Sequence, residues 1–514
     1  MNRWATAGAL LAVGIALLLR CPRLGQKPMH NDEGVNALKF GELWERGNYK
    51  YDPSEYHGPT LPYATALINR LTEAADYKNF TETRLRAVTV VFGTALILLY
   101  PFLCNALGRK AVIWAGIFTA VSPAMVYYGR YYIHEMLLVF FTGLGLVSGW
   151  RYWQSRKVGW SLLCGASVGL MQATKETFIL SLAACALALG LNQFWNRQLD
   201  ASGRPALAPR LSPGHILAGF VAWAVVWVIL FSSFFTNPRG LVDSVATYQH
   251  WISRAGTSNQ HVHEWWFYLQ RLLFFHTDKG LSSEGLILPL ALAGAGAGFF
   301  RKGLGYANAS FVRFLSFYTL LLTAFYSLLS YKTPWCLLSF WLGFILLAGV
   351  GASVLINVAK FQWARLAAIL ALLVVTANLA WQAWQDSIDY ASDRRNPYVY
   401  APTSSNILQL VEKVEALANA SAEKHNTIIK VMAPEGDFWP LPWYLRKFDH
   451  VGWYEKVPED PFAPIMIVSA QFHANFDEKR THAMVEMFEL RPNVFFELYV
   501  EAGLWKRYVE ELHR

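Results

Sequence analysis

Asp32 and Glu33 stand side by side in "HNDEG", 12 residues past an apolar run over residues 4–20. Adjacent carboxylates suit a general base, or a base beside an orienting or metal-binding group. Three cations sit at the mouths of other apolar runs: Arg130 in "YYGRYYIHEM", Lys175 in "ATKETF" and Lys332 in "SYKTPW". Each has an acid or a tyrosine near it in sequence: Glu135, Glu176 and Tyr331. Charge at the edge of hydrocarbon is costly, and membrane proteins usually keep it for function. Structural ion pairs and snorkelling side chains are the alternative. Cations in this setting suit a phosphate or diphosphate head group. The combination fits a lipid-phosphate-linked substrate whose polar head is attacked at the membrane surface. In sugar transfer from a polyprenyl phosphate, a carboxylate takes the acceptor proton and cations neutralise charge growing on the leaving phosphate.

The elements that must carry these residues are written in the composition. Hydrophobic residues make up 54% of the 514 and charged residues only 16%, against roughly a quarter in soluble domains. The deficit lies in residues 1–384, where apolar runs of membrane-spanning length recur. Eleven are expected, near 4–20, 84–106, 111–128, 134–150, 159–173, 177–194, 215–235, 284–300, 314–330, 335–357 and 366–383. Residues 385–514 read as a small soluble α/β domain. The first run follows Arg3, and its exit "RCPRLGQKP" lacks a small-x-small cleavage site, so it reads as a retained anchor.

With the N-terminus cytoplasmic, the short inner loops hold fourteen basic residues, among them Arg109, Lys110, Arg204 and Arg210, and one acid, Asp200. This is the positive-inside pattern. It places loops 21–83 and 236–283 and the C-terminal domain outside the cytoplasmic membrane, together with Asp32, Glu33 and the three exceptional cations. The net charge of +9 therefore reflects topology and does not point to nucleic acid.

Loop 21–83 holds two amphipathic stretches, "NDEGVNALKFGELWERG" and "PTLPYATALINRLTEAA", expected as helices on the membrane surface. Asn31 or Asp32 is a candidate cap for the first. In the tail, "SSNILQLVEKVEALANA" reads as a helix, and "TIIKVMAP", "PIMIVSA" and "NVFFELYV" as strands. No G-x-x-x-x-G-K loop occurs there. The five cysteines form no CxxC pair. Metal candidates are Asp32, Glu33, His134, Glu135, His261, His263 and Glu264. Carboxylates with water suit magnesium or manganese, and His261-x-His263 suits a transition metal. The residues leave metal dependence open.

An acidic pair in a first outer loop resembles the GT-C membrane glycosyltransferases, in particular the protein O-mannosyltransferase and aminoarabinose transferase group. "HNDEG", "YHGPTLPY", "GRYYIHEM", "ATKE", "YKTPW" and the tail "WPLPWYLRKFDHVGWY", in this order, resemble a prokaryotic branch named for flippase-associated proteins of archaeal glycosylation. The resemblance implies a mostly α polytopic fold and a polyprenyl-phosphate sugar donor. It implies Asp32 as the catalytic residue with Glu33 beside it, and Arg130, Lys175 and Lys332 at the donor phosphate. His57, His134, Glu135, Glu176 and Tyr331 would line the substrate site. The acceptor stays open between protein, lipid and glycan. A non-catalytic helper of lipid-linked sugar translocation would use the same cations without a base. A transporter would carry charges at mid-span, where this chain has few.

Overall fold

All eleven expected runs fall on helices in the computed structural model, which describes residues 3–47, 49–54, 57–71, 76–199, 211–257 and 261–513. Seven are long and apolar enough to cross a membrane: Arg3–Arg20, Glu82–Leu107, Phe178–Gln198, Pro213–Phe231, Ala309–Leu328, Pro334–Val358 and Gln362–Asp389. An eighth span results if Arg109–Val121 and Pro123–Gly129, bent by 58° at Ser122, count as one. Pro123 explains the break, since it cannot donate to the preceding turn. Of the eleven expected runs, seven, or eight with the bent pair, are thus long and apolar enough to cross a membrane. Val158–Gln172 and Ile287–Phe300, of 15 and 14 residues, are short of the roughly 20 that a bilayer needs. Glu135–Ser155 is long enough but carries Glu135 and Arg151, and it falls outside the seven. The inner loop with Asp200, Arg204 and Arg210 lies outside the described residues.

Burial sorts the helices. Pro334–Val358 is 89% buried and forms the centre, whereas Pro213–Phe231 is 6% buried. A helix that is apolar all round yet unburied by protein faces lipid.

Four helices frame the site: α1 (Arg3–Arg20), α2 (Asn31–Arg46), α3 (Thr60–Arg70) and α4 (Glu82–Leu99). The cap of α2 is His30, and not Asn31 or Asp32. The His30 ring accepts from Asp32 N at 3.2 Å, and the Glu33 carboxylate accepts from His30 N at 2.9 Å. This reciprocal pair is a capping box. It relieves the Asp32 carboxylate of capping. Gly47, at φ 74°, ends α2 by returning its N–H to Leu43 O. The helix buries Ala37, Phe40 and Leu43 against Tyr77, Phe80 and Trp443, so its apolar face meets protein.

The C-terminal part is a five-stranded mixed sheet in the spatial order Val451–Tyr454, Ile429–Met432, Ile465–Ser469, Val494–Glu501, His482–Arg491. The first three strands are parallel and the last two join antiparallel. Helices Asn406–Asn419 and Ala502–Leu512 cover it. The tail motif seats this unit on α2 and its surroundings. Met29 N donates to Tyr444 Oη at 2.8 Å and Trp443 Nε1 to Glu82 at 2.7 Å. A Cβ on Gly34 would stand 2.7 Å from the Pro440 Cβ, so only glycine lets α2 approach the tail this closely.

Candidate functional site

Glu33 is the hub at the base of α2. Its side chain is fully buried and accepts from Arg86 Nε at 2.7 Å, Arg86 Nη2 at 2.8 Å, His30 N and Tyr132 N. Lys27 Nζ stands 3.6 Å away. Burial alone would raise this carboxyl, but the Arg86 and Lys27 charges override it and hold it well below the usual carboxylate range. Glu33 therefore stays ionised with every lone pair occupied. It can fix the position of Asp32. It has no oxygen to give a metal, and as a metal candidate it does not fit.

Asp32 is the opposite case. Its side chain is 44% exposed and its nearest ionic neighbour is His30 Nδ1 at 3.9 Å. The His30 ring is held on its other side by Tyr400 O at 3.2 Å and by Trp335, edge-on at 5.6 Å. Two adjacent acids thus have one locked and one open carboxylate.

His261 and His263 lie next to this corner. The Tyr400 hydroxyl is 2.5 Å from His261 Nδ1 and 3.0 Å from His263 Nε2. Tyr331 packs on the His261 ring at 5.2 Å. Lys332 is buried, and its ammonium donates to the carbonyls of His263 and Leu329. It ties the 261–263 segment to the 330–333 segment, which also pair through Val262 and Tyr331. Among the described residues, no group of three His, Cys, Asp or Glu side chains converges in a way that could hold a metal ion.

A second group gathers where "YHGP" meets "ATKE". Gly58 N donates to Thr174 O and Thr60 N to Ala173 O. His57 Nδ1 donates to the Glu176 carboxylate at 2.9 Å. Burial would raise Glu176, but His57 beside it holds it below the usual range. The His57 ring, 42% exposed, keeps Nε2 available, the arrangement of a proton acceptor oriented by a carboxylate. His134 packs edge-on at 5.2 Å and its Nε2 meets Gly58 O at 3.0 Å. Burial first, then the neighbouring His57 and Lys175, hold His134 well below the usual imidazole range, so it is neutral. Lys175 and Glu135 form a buried ion pair. Arg130 and Glu135 are not partners. Arg130 donates to the carbonyls of Arg20 at 2.8 Å and Pro22 at 2.7 Å, closing the free end of α1.

The motif "YKTPW" and the Cys336 that follows it bridge the two groups, because Trp335 meets His30 edge-on while Cys336 Sγ is 3.9 Å from Lys175 Nζ. "GRYYIHEM" does the same, with Tyr132 N on Glu33 and His134 on His57. The five motifs, 300 residues apart at their extremes, form one surface. Sequence reasoning missed Lys27, His30, Arg86 and Tyr400. Lys27 lies in the long loop 21–83 and Arg86 inside the expected run 84–106, so the test for cations in short outer loops, which singled out Arg130, did not reach them. His30 and Tyr400 carry no signal beyond adjacency.

The junction gives a direct prediction. A Cβ on Gly58 would stand 2.1 Å from Ala173 O. Gly58→Ala is expected to lower stability by about 1–3 kcal/mol and to part His57 from Glu176, read by thermal unfolding and by the His57–Glu176 separation in a structure of the variant.

The profile of the dolichyl-phosphate-mannose-protein mannosyltransferase family matches residues 56–207. The structure is similar to that of ArnT from Cupriavidus metallidurans bound to undecaprenyl phosphate, at TM-score 0.62 and 16% identity, over 97% of this chain and 99% of that one. It is also similar to the archaeal oligosaccharyltransferase AglB from Archaeoglobus fulgidus in complex with an inhibitory peptide and a dolichol-phosphate, at TM-score 0.55 and 13% identity, over 92% of this chain and 70% of that one. An oligosaccharyltransferase structure from the same organism, in complex with zinc and sulfate, matches at TM-score 0.53 and 12% identity over 90% and 68%. No curated protein matches the chain. The fold is like that of ArnT, and in this chain it joins a polytopic helical part to a small C-terminal mixed sheet.

Proposed function

We propose that this chain is a membrane glycosyltransferase that moves a sugar from a polyprenyl-phosphate carrier to an acceptor hydroxyl at the outer face of the cytoplasmic membrane. The observation that carries the reading is the division of labour in the acidic pair: Glu33 is locked into the fold and Asp32 is left open beside it. The Asp32 carboxylate takes the acceptor proton as the acceptor oxygen bonds to the anomeric carbon. The carbon–oxygen bond to phosphate breaks, and the electron pair leaves with the polyprenyl phosphate. Arg130, Lys175 and Lys332 have their donors committed to protein acceptors. They act on the leaving phosphate through their field. His57 and Glu176, with Glu135, His134 and Tyr331, line the opening. The matched family profile, and the polyprenyl-type phosphates bound to ArnT and AglB, support this donor class.

Labelled polyprenyl-phosphate sugars, offered to the purified chain in lipid with peptide, lipid and glycan acceptors, test the reading. Release of polyprenyl phosphate with matching gain of labelled acceptor is expected. Donor binding without turnover across the series would overturn it and favour a role in translocating lipid-linked sugars.

A further inference from the structure

On the far side of Glu33 from its capping contacts, the end of α1 and the start of α4 meet the 385–391 turn. A cleft opens there, lined by Leu24, Lys27, Arg86, Tyr127, Arg130 and Ser387. Lys27 and Arg86 share one carboxylate, Glu33, and Arg130, the third cation on the lining, is held by backbone carbonyls. Asp386, next to Ser387, is already paired with Lys279 at 2.5 Å. Uncompensated charge removed from water is costly and calls for a counter-ion. Two donors on the cleft wall have no hydrogen-bond acceptor among the described residues. The Lys27 side chain is 12% exposed, and its Nζ has no hydrogen-bond acceptor among the described residues. It lies over the Tyr131 ring at 3.1 Å. Ser387 is 3% exposed, and its Oγ likewise has no partner among the described residues. Burial pushes the Lys27 ammonium down; Glu33 opposes this, and the Arg86 and Arg130 charges add to it. An anion on Nζ supplies the missing charge.

The space within the cleft is about 10 Å³, close to what one water-sized atom needs. The cleft therefore takes the tip of an anion and leaves its body at the open mouth. Carbonyls of Leu24, Lys27 and Pro28 already satisfy much of Arg86, which leaves Lys27 and Ser387 as the reading groups.

We propose that this cleft is a binding site for a phosphate group, one oxygen of which sits between Lys27 Nζ and Ser387 Oγ. Lys27 lies only seven residues beyond α1, so the phosphate can come from a lipid head group at the membrane rim or from free phosphate. The chemistry is the same in both cases.

The test reads binding without turnover, so it stands or falls apart from the transfer reaction. The full chain is purified in a maltoside detergent free of phosphate, and its unfolding midpoint is followed in two arms, inorganic phosphate and short-chain phosphatidic acid. The expected result is a saturable rise in at least one arm, with affinity reduced about tenfold or more in Lys27→Met and weakened in Ser387→Ala. A rise with inorganic phosphate assigns a free anion; a rise with phosphatidic acid alone assigns a lipid head group. Should Lys27→Met fail to fold, Ser387→Ala carries the comparison. No saturable rise in either arm, an equal rise with chloride at matched ionic strength, or unchanged affinity in the folded variants would overturn the proposal.

Discussion

Asp32→Asn is expected to lower sugar transfer by about 10²–10⁴-fold, the usual contribution of a positioned general base, while donor binding persists. Asparagine keeps the shape of the side chain and removes its basicity. The fold should scarcely notice. The carboxylate is 44% exposed, and His30 Nδ1 stands 3.9 Å from it. The cap of α2 runs through His30 and Glu33 instead. Loss of one negative charge in the first turn of a helix costs about 0.3–1 kcal/mol. Single-turnover transfer, donor binding and unfolding, measured on the same preparation, separate the three quantities. A variant that keeps its transfer rate would remove Asp32 from the base role and turn attention to His57, whose ring is 42% exposed and oriented by Glu176.

Much of this arrangement was legible in the residues, and the reasons differ from element to element. The helices were legible because apolar runs of bilayer length have few other solutions. Which of them reach full crossing length was not, because Pro123 breaks one run and the helices over Val158–Gln172 and Ile287–Phe300 stop short in ways that hydropathy alone blurs. In the tail, the helix and the three buried strands announced themselves. "VGWY" is only four residues long, and "HAMVEMFELR" is a partly exposed edge strand that places Glu486 and Glu489 among its apolar residues, so neither stood out. For the site, charges that break the positive-inside pattern singled out Arg130, Lys175 and Lys332, all of which the structure buries. They did not reveal which were already spoken for. The partners of Arg130 are backbone carbonyls of residues 20–23, and no side-chain pattern encodes a carbonyl. The locking of Glu33 depends on Arg86, 53 residues on, a pairing that only the folded chain brings about.

That locking sets the second large effect. Glu33→Ala is expected to destabilise the protein by about 3–5 kcal/mol, the cost of leaving a buried charge without its partner. Arg86 would lose both carboxylate contacts, Tyr132 N and His30 N would lose their acceptor, and α2 would lose half of its capping box. The pH dependence follows from the direction of the Glu33 shift. Its folded pKa lies below the unfolded value of about 4.3, so the stabilisation is fully present above the usual glutamate range. It is lost as pH falls below that range toward the depressed value. The unfolding midpoint of the native chain should therefore drop on the acid side, and Glu33→Gln, which cannot ionise, should flatten that limb. A steep acid limb retained in Glu33→Gln would place the acid sensitivity elsewhere. Glu33→Leu combined with Arg86→Met sharpens the argument. Removing both charges recovers the ionic part of the loss. It does not recover the tie that Arg86 makes to the carbonyls of Leu24, Lys27 and Pro28. The double variant should thus be more stable than either single one and still less stable than the native chain. The residual deficit measures how firmly the connection from α1 to Asp32 is held.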